Sequence, residues 1–129
     1  MEYTLLGGGV TIDADLVAAD RTAMVRQLDE YAAGDRQAFD LSVTYPDSFV
    51  GRVMRAMAEI PYGETRTYGD LAETLDTAPV AVGQGAGRNP VPLIVPCHRV
   101  VAADSLGGYS APGGVSLKER LLAHEGVLD

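Results

Sequence analysis

The run Asn89-Pro90-Val91-Pro92-Leu93-Ile94-Val95-Pro96 restricts this chain more than any other stretch of it. Its side chains are almost all apolar, so it belongs inside, yet three prolines exclude the two usual ways of being there. Proline lacks the N–H that a helix interior or a central strand requires, and its ring fixes φ. The run is therefore predicted to be a buried, extended segment without ladder pairing, around which short elements must be arranged. It delivers Cys97-His98-Arg99-Val100-Val101, so the sole cysteine of the chain lies at the end of a stiffened approach.

The flanking elements read as short helices. Asp47 or Ser48 suits the N-cap of a helix to about Glu59, with Phe49, Val50, Val53, Met54 and Met57 inward and Pro61-Tyr62-Gly63 as its stop. Thr67 and Asp70 form a capping box for a helix to about Leu75, and after Asp76-Thr77-Ala78 a second begins at Pro79 and runs to about Gly87. Two short helices joined by a brief turn fit a helix-turn-helix, and equally a generic helical hairpin. Gly83, Gly85 and Gly87 fall on alternate positions of the second, at about 0.8–1 kcal/mol each relative to alanine. Such a helix suits close approach by another backbone. Downstream, a glycine-rich loop covers 107–114, Ser116 and Glu119 form a capping box, and Leu117, Leu121 and Leu122 face inward before Gly126 ends the helix.

Residues 1–46 read as a small αβ appendage. A short strand is expected at Val10–Ile12 and a helix at Arg21–Ala33, its stripe formed by Met24, Leu28, Tyr31 and Ala32. Alternation of Phe39, Leu41 and Val43 predicts a second short strand. Pro46-Asp47-Ser48 marks the boundary with a larger unit, 47–129, and the class is α+β.

Composition removes several alternatives. A chain of 129 residues is one domain with at most a small appendage, and 47% hydrophobic residues suffice for a core. One cysteine cannot form an internal disulfide or a zinc site of several thiolates, so no metal is expected. No run of 18 apolar residues occurs, and the start lacks the basic flank of a signal peptide, which predicts a soluble cytoplasmic protein without membrane contact. The net charge of −8 opposes a polyanionic partner on its face. Most of it lies in residues 1–47, which carry nine acids and three arginines; nine acids and seven bases balance the rest to −2. Lys118 is the only lysine, and such an acidic, lysine-poor surface suits molar salt, which screens charge over about 3 Å.

A lone intracellular cysteine is most often a small buried hydrophobe. Here a neighbouring imidazole offers a base for the thiol, whose ordinary pKa is about 8.5. Adjacent residues in extended chain point to opposite faces, so His98 would reach Cys97 through a water or a turn.

Pro96-Cys97-His98-Arg99-Val100, preceded by Gly87-Arg88-Asn89-Pro90-Val91-Pro92 and followed by Gly108-Tyr109-Ser110 and Leu121-Leu122-Ala123-His124-Glu125-Gly126, resembles the methylated-DNA–protein-cysteine methyltransferases, the O6-alkylguanine-DNA alkyltransferases. The resemblance extends over about residues 25–129, through Tyr31-Ala32-Ala33-Gly34, Phe39-Asp40-Leu41 and Ile60-Pro61-Tyr62-Gly63-Glu64-Thr65. It implies a shortened ribonuclease-H-like N-terminal segment and a mainly helical, winged-helix-like active-site domain. It also implies stoichiometric transfer of an alkyl group from O6 of guanine, with O4-alkylthymine a further candidate, and no cofactor.

By that resemblance Cys97 is the acceptor, His98 takes its proton through a water, and Glu125 orients the imidazole; read alone, Glu125 is a solvated charge near a helix end. Tyr109 and Ser110 belong to a loop closing over the base, while carbonyls near Cys97 and Val100 recognise the guanine amine. Asn89 organises a hinge, and Arg99 is an internal ion-pair partner. The implied partner is double-stranded DNA containing O6-alkylguanine, bound through its minor groove by a monomer that flips the base. Tyr68 contacts the target phosphate and guanine N3. Pro79, Val80, Ala81, Gly83 and Arg88 face the DNA. The family's usual arginine that enters the duplex is replaced by Val80, which with the short N-terminal segment leaves a second implication: a non-enzymatic lesion-binding relative that recruits other repair machinery. A winged-helix sensor using Cys97 is the weakest reading. The low lysine content predicts that few counterions are released on binding.

Overall fold

A computed structural model describes residues 1–108 and 114–128. The chain opens with a hairpin in which β1 (Glu2–Leu5) pairs antiparallel with β2 (Gly8–Thr11), Leu5 opposite Gly8. Leu6 and Gly7 turn it with φ of 49° and 81°. Only a strand at Val10–Ile12 was expected there; its partner precedes the Gly7-Gly8-Gly9 run. Gly8 has no space for a side chain, because a Cβ would come within 2.8 Å of a Leu117 methyl. A 3-10 turn (Ala14–Leu16) then leads to α1 (Arg21–Ala32), capped by Asp20, with Met24, Gln27, Leu28 and Tyr31 buried.

The second strand expected over Phe39–Val43 does not form; Val43 makes one isolated bridge, to Val17. Ser42 and Thr44 bond to the backbone of residues 16–18, but Asp40 is held instead by Gln27. Its side-chain amide donates to the Asp40 carbonyl at 3.2 Å and accepts from the Asp40 N–H at 2.8 Å, supplying the pairing that a neighbouring strand would give.

Helix α2 (Phe49–Ala58) starts at Ser48, whose hydroxyl accepts from Gly51 N–H at 3.2 Å, and buries Val53, Met54 and Met57. Gly51 is obligatory, since a Cβ there would lie 1.8 Å from the Pro46 carbonyl oxygen. Next come β3 (Arg66–Thr67), α3 (Tyr68–Leu75) with the expected Thr67/Asp70 box at 2.9 and 3.0 Å, and α4 (Pro79–Gly87). Asp76, at φ 55°, ends α3 in the left-handed region.

The proline run is buried as expected, but it is not extended throughout: Pro92 and Val95 are bridged across a tight turn with Leu93 at φ 73°. Asn89 decides this, bonding through its amide to both ends of the turn, Val91 N–H at 3.1 Å and Val95 C=O at 2.8 Å. A 3-10 turn (Cys97–Arg99) and β4 (Val100–Val101) follow, and β4 lies parallel to β3 with Arg66 opposite Val100. That short pairing sets the start of α3 beside the exit from Cys97. The last helix, α5 (Gly114–His124), begins two residues before Ser116, so the expected Ser116/Glu119 box is not its cap. Leu117, Leu121 and Leu122 do face inward, and Gly126 follows at φ 84°.

The architecture of the described residues is mixed: helices with two small two-stranded sheets. A continuous core runs from Val10, Ile12, Met24 and Leu28 through Val53, Met54, Met57, Val91 and Val100 to Leu117 and Leu121. No helix among the described residues is long and apolar enough to cross a membrane.

Candidate active site

Burial forces the chemistry at the end of the proline run. His98 is fully buried, and Nε2 lies 2.7 Å from Oε2 of Glu125, itself 6% exposed. An ionised carboxylate can only accept, so Nε2 carries the proton. Nδ1 has no hydrogen-bond partner among the described residues. Burial also pushes the imidazole pKa down, against the pull of Glu125, and the positive charges of Arg99 and Lys118 act in the same direction as burial. The resting imidazole is thus neutral, with its Nδ1 lone pair available as a base.

Glu125 is held by five donors. Oε2 accepts from Tyr31 OH at 2.6 Å, His98 Nε2 at 2.7 Å and Arg99 Nη2 at 3.0 Å; Oε1 accepts from Arg99 Nε at 2.8 Å and Gly63 N–H at 3.2 Å. Burial alone would raise its carboxyl pKa, but the bonds from His98, Arg99 and Tyr31 outweigh it and hold the group well below the usual carboxylate range. Arg99 Nη1 is satisfied by the Ile60 carbonyl at 2.8 Å.

Cys97 is 8% exposed, is not in a disulfide, and lines an open cavity of about 670 Å³ together with Tyr68, Pro79, Val80, Gly83 and Gly108. Lys118, fully buried, donates to the Val100 carbonyl at 2.6 Å and the Gly108 carbonyl at 3.1 Å, with Nζ 5.7 Å from the centre of the Tyr68 ring. Burial lowers its pKa to about 8, and the neighbouring Cys97 opposes that shift. Burial likewise raises the Tyr68 phenol, keeping it a donor at neutral pH. Gly107, at φ 73°, packs so closely that a Cβ would lie 2.7 Å from the Tyr68 hydroxyl.

A cavity with a thiol wall, backed by a neutral base and a buried carboxylate, is built for a single nucleophilic displacement. The model of the 6-O-methylguanine DNA methyltransferase DNA-binding domain matches residues 48–127. The chain belongs to the O6-methylguanine DNA methyltransferase family.

Among relatives of this family, the methylated-DNA–protein-cysteine methyltransferase of Archaeoglobus fulgidus is 46% identical over 109 residues, 79% of this chain and 73% of the relative. The crystal structure of Mycobacterium tuberculosis OGT in complex with DNA superposes with a TM-score of 0.75 at 42% identity, over 81% of this chain and 65% of that one. S. pombe Atl1, in complex with damaged DNA containing O6-carboxymethylguanine, superposes at a TM-score of 0.50 and 30% identity, over 64% of this chain and 80% of that one. The chain therefore spans somewhat under two thirds of the length of the M. tuberculosis methyltransferase.

Within this methyltransferase fold the expected site residues divide clearly. Cys97, His98, Arg99 and Glu125 converge, and Tyr68, Pro79, Val80 and Gly83 share the cavity. Ala81 is half-buried beside them, and exposed Arg88 is not part of the cavity lining. Asn89 braces the turn from beneath. The Val100 carbonyl accepts from Lys118, and the Cys97 carbonyl from Val100 N–H. Tyr109 and Ser110 lie outside the described residues.

The glycines of α4 have different causes. A Cβ on Gly85 would meet a Val53 methyl at 2.9 Å, so that glycine serves core packing against α2; Gly83 and Gly87 have ordinary or open space. Two residues escaped the sequence reading. Lys118 carried a signal, being the only lysine and three residues before inward Leu121. Tyr31 was legible only as part of an apolar stripe.

Proposed function

We propose that the chain restores O6-alkylguanine in double-stranded DNA by one stoichiometric transfer of the alkyl group to Cys97, acting without a cofactor as a cytoplasmic monomer. The observation that carries this reading is Cys97 on the wall of an open cavity, backed by the buried His98–Glu125 pair. In the reaction, the Cys97 proton passes through a bridging water to Nδ1 of His98, and Glu125 stabilises the resulting imidazolium. The thiolate sulfur attacks the alkyl carbon, the carbon–O6 bond breaks, and its electron pair remains on the guanine, which then takes up a proton. Lys118 places positive charge beside the forming thiolate. Tyr68 donates to guanine N3 and crowds its phosphate. The Ser110 N–H approaches O6, Tyr109 walls the pocket, and the Cys97 and Val100 carbonyls take the exocyclic amine.

A duplex guanine reaches the cavity only when flipped out, which costs a few kcal/mol. Pro79, Val80, Ala81 and Gly83 face the minor groove in this reading, with Arg88 near the backbone and Asn89 as the hinge behind them. Residues 47–129 form a winged-helix-like acceptor domain, and residues 1–46 a shortened ribonuclease-H-like segment that buttresses it. The presence of the thiol and its base favours transfer over lesion binding alone. Mass spectrometry after incubation with O6-methylguanine DNA tests this: one added methyl on the Cys97 peptide, abolished by Cys97→Ala, is expected. Tight binding without modification would refute it.

A further inference from the structure

The site carboxylate is also gripped from outside the relay. Tyr31, 1% exposed in the last turn of α1, donates its hydroxyl to Glu125 Oε2 at 2.6 Å, the oxygen that His98 Nε2 reaches at 2.7 Å. The ring is locked among Phe39, Tyr62 and His124, with centroids 5.6, 6.1 and 5.3 Å away. His124 Nε2 donates to the Tyr31 carbonyl at 2.7 Å. The backbone and side chain of one α1 residue thus bond two consecutive residues at the end of α5.

A packing tyrosine needs only some acceptor. This one takes the oxygen whose charge faces the imidazole. Each donor on a carboxylate stabilises the anion and weakens its hold on a neighbouring proton. The charged and titratable groups around His98 are Glu125 and Lys118 of the C-terminal region, Arg99 of its own turn and adjacent Cys97; Tyr62 faces Glu125 from the 61–63 turn. Arg99 and Tyr31 are the side chains that share Oε2 with His98.

We propose that Tyr31 is a positioning residue of the alkyl acceptor, its hydroxyl holding Glu125 Oε2 in line with His98 and drawing off part of its negative charge, so that the imidazole rests neutral and able to take the Cys97 proton. The proposal rests on the reading above for its electrophile, but the state of the relay is measurable without DNA. Tyr31→Phe keeps the ring contacts and removes the one donor. Tyr3→Phe is a matched control, removing a 2.6 Å phenol–carboxylate bond to Asp29 on the exposed side of the same helix. In the full chain, nitrogen NMR titration of His98 and the pH dependence of Cys97 alkylation by iodoacetamide are the readouts, with thermal melts as the folding check.

Since His98 must be neutral to accept the proton, Tyr31→Phe should raise the His98 midpoint and the acid limb of alkylation together, by about half a pH unit or more. Tyr3→Phe should leave both in place. A uniform loss of rate at an unchanged midpoint would reduce Tyr31 to packing and overturn the proposal. If Tyr31→Phe does not fold, 3-fluorotyrosine at position 31 decides, because a more acidic phenol should move the midpoint down and no movement refutes the proposal. Methyl transfer from O6-methylguanine DNA is followed in parallel. Its absence alongside a shifted midpoint rejects the functional reading alone, and normal transfer with an unshifted midpoint rejects this one alone.

Discussion

Glu125→Gln is the substitution from which the structure yields the largest consequence. The amide matches the carboxylate in shape, but the carboxylate accepts five bonds, three at Oε2 and two at Oε1, and its side chain is fully buried. Whichever way the amide is turned, its NH2 meets at least two donors, one of them from Arg99. The guanidinium cannot give up its charge; it keeps the Ile60 carbonyl and one bond to the amide oxygen but loses the anion that balanced it. Removing one member of a buried pair costs about 3–5 kcal/mol, against a whole-domain stability of about 5–15 kcal/mol. With a urea slope of about 2 kcal/mol per molar, the unfolding midpoint should fall by about 2 M.

Equilibrium urea unfolding followed by circular dichroism reads this directly. The cycle with Arg99→Met isolates the charge pair, and the double variant should be at least about 2 kcal/mol less destabilised than the sum of the singles. A loss below about 1 kcal/mol for Glu125→Gln, the value of an exposed pair, would refute the claim that burial makes this carboxylate decisive. Any folded fraction should transfer methyl groups about 10²–10⁴-fold more slowly, as expected when a base loses its support.

Val80 is 69% exposed at the cavity mouth, so Val80→Arg should speed repair of duplex more than of single-stranded substrate, read by single-turnover transfer; equal gains would exclude a duplex-entering role. Gly85→Ala should destabilise by about 1–3 kcal/mol through the Val53 clash, whereas Gly87→Ala should leave thermal stability equal or higher; similar losses for both would contradict the packing account. Stability should fall with pH below about 6.5, by up to about 1.4 kcal/mol per unit, because the unfolded chain protonates His98 while the buried ring, shifted down, resists. Below about pH 4.3 Glu125 steepens the loss, since a depressed carboxyl stabilises above its unfolded value and loses that contribution toward its folded one. Between about pH 8 and 10 the lowered Lys118 makes stability rise with pH, a segment that Lys118→Met should flatten in urea titrations.

Several local signals were legible, although the Ser116/Glu119 box was not a cap, since α5 begins at Gly114. The Thr67/Asp70 box, Pro79 at a helix start and Ser48 as a cap all act within one turn, and the structure has them. The motif around Cys97 likewise stands in consecutive residues, which is why the resemblance to the methyltransferases is legible in the chain alone. The strand expected at Phe39–Val43 shrank to a bridge at Val43 because the Asp40 pairing was taken over by the Gln27 amide, thirteen residues away. Gly85 reads as a site of close backbone approach, yet it is a Val53 side chain that dictates it, and Gly51 and Gly8 are likewise dictated by the Pro46 carbonyl and Leu117.

The sequence by itself determined the short helices and the buried proline run, because propensity, capping and patterning act over a few residues, and its motif around Cys97 carried the family resemblance. Tertiary structure alone decided the state of the site. Tyr31 and Glu125 are separated by 94 residues and His98 and Glu125 by 27, and only the fold brings those side chains within 2.7 Å, fixes the imidazole tautomer and holds both pKa values below their ordinary range. Desolvation and hydrogen bonding set protonation, and both depend on what surrounds a group in space, which no local stretch of sequence encodes.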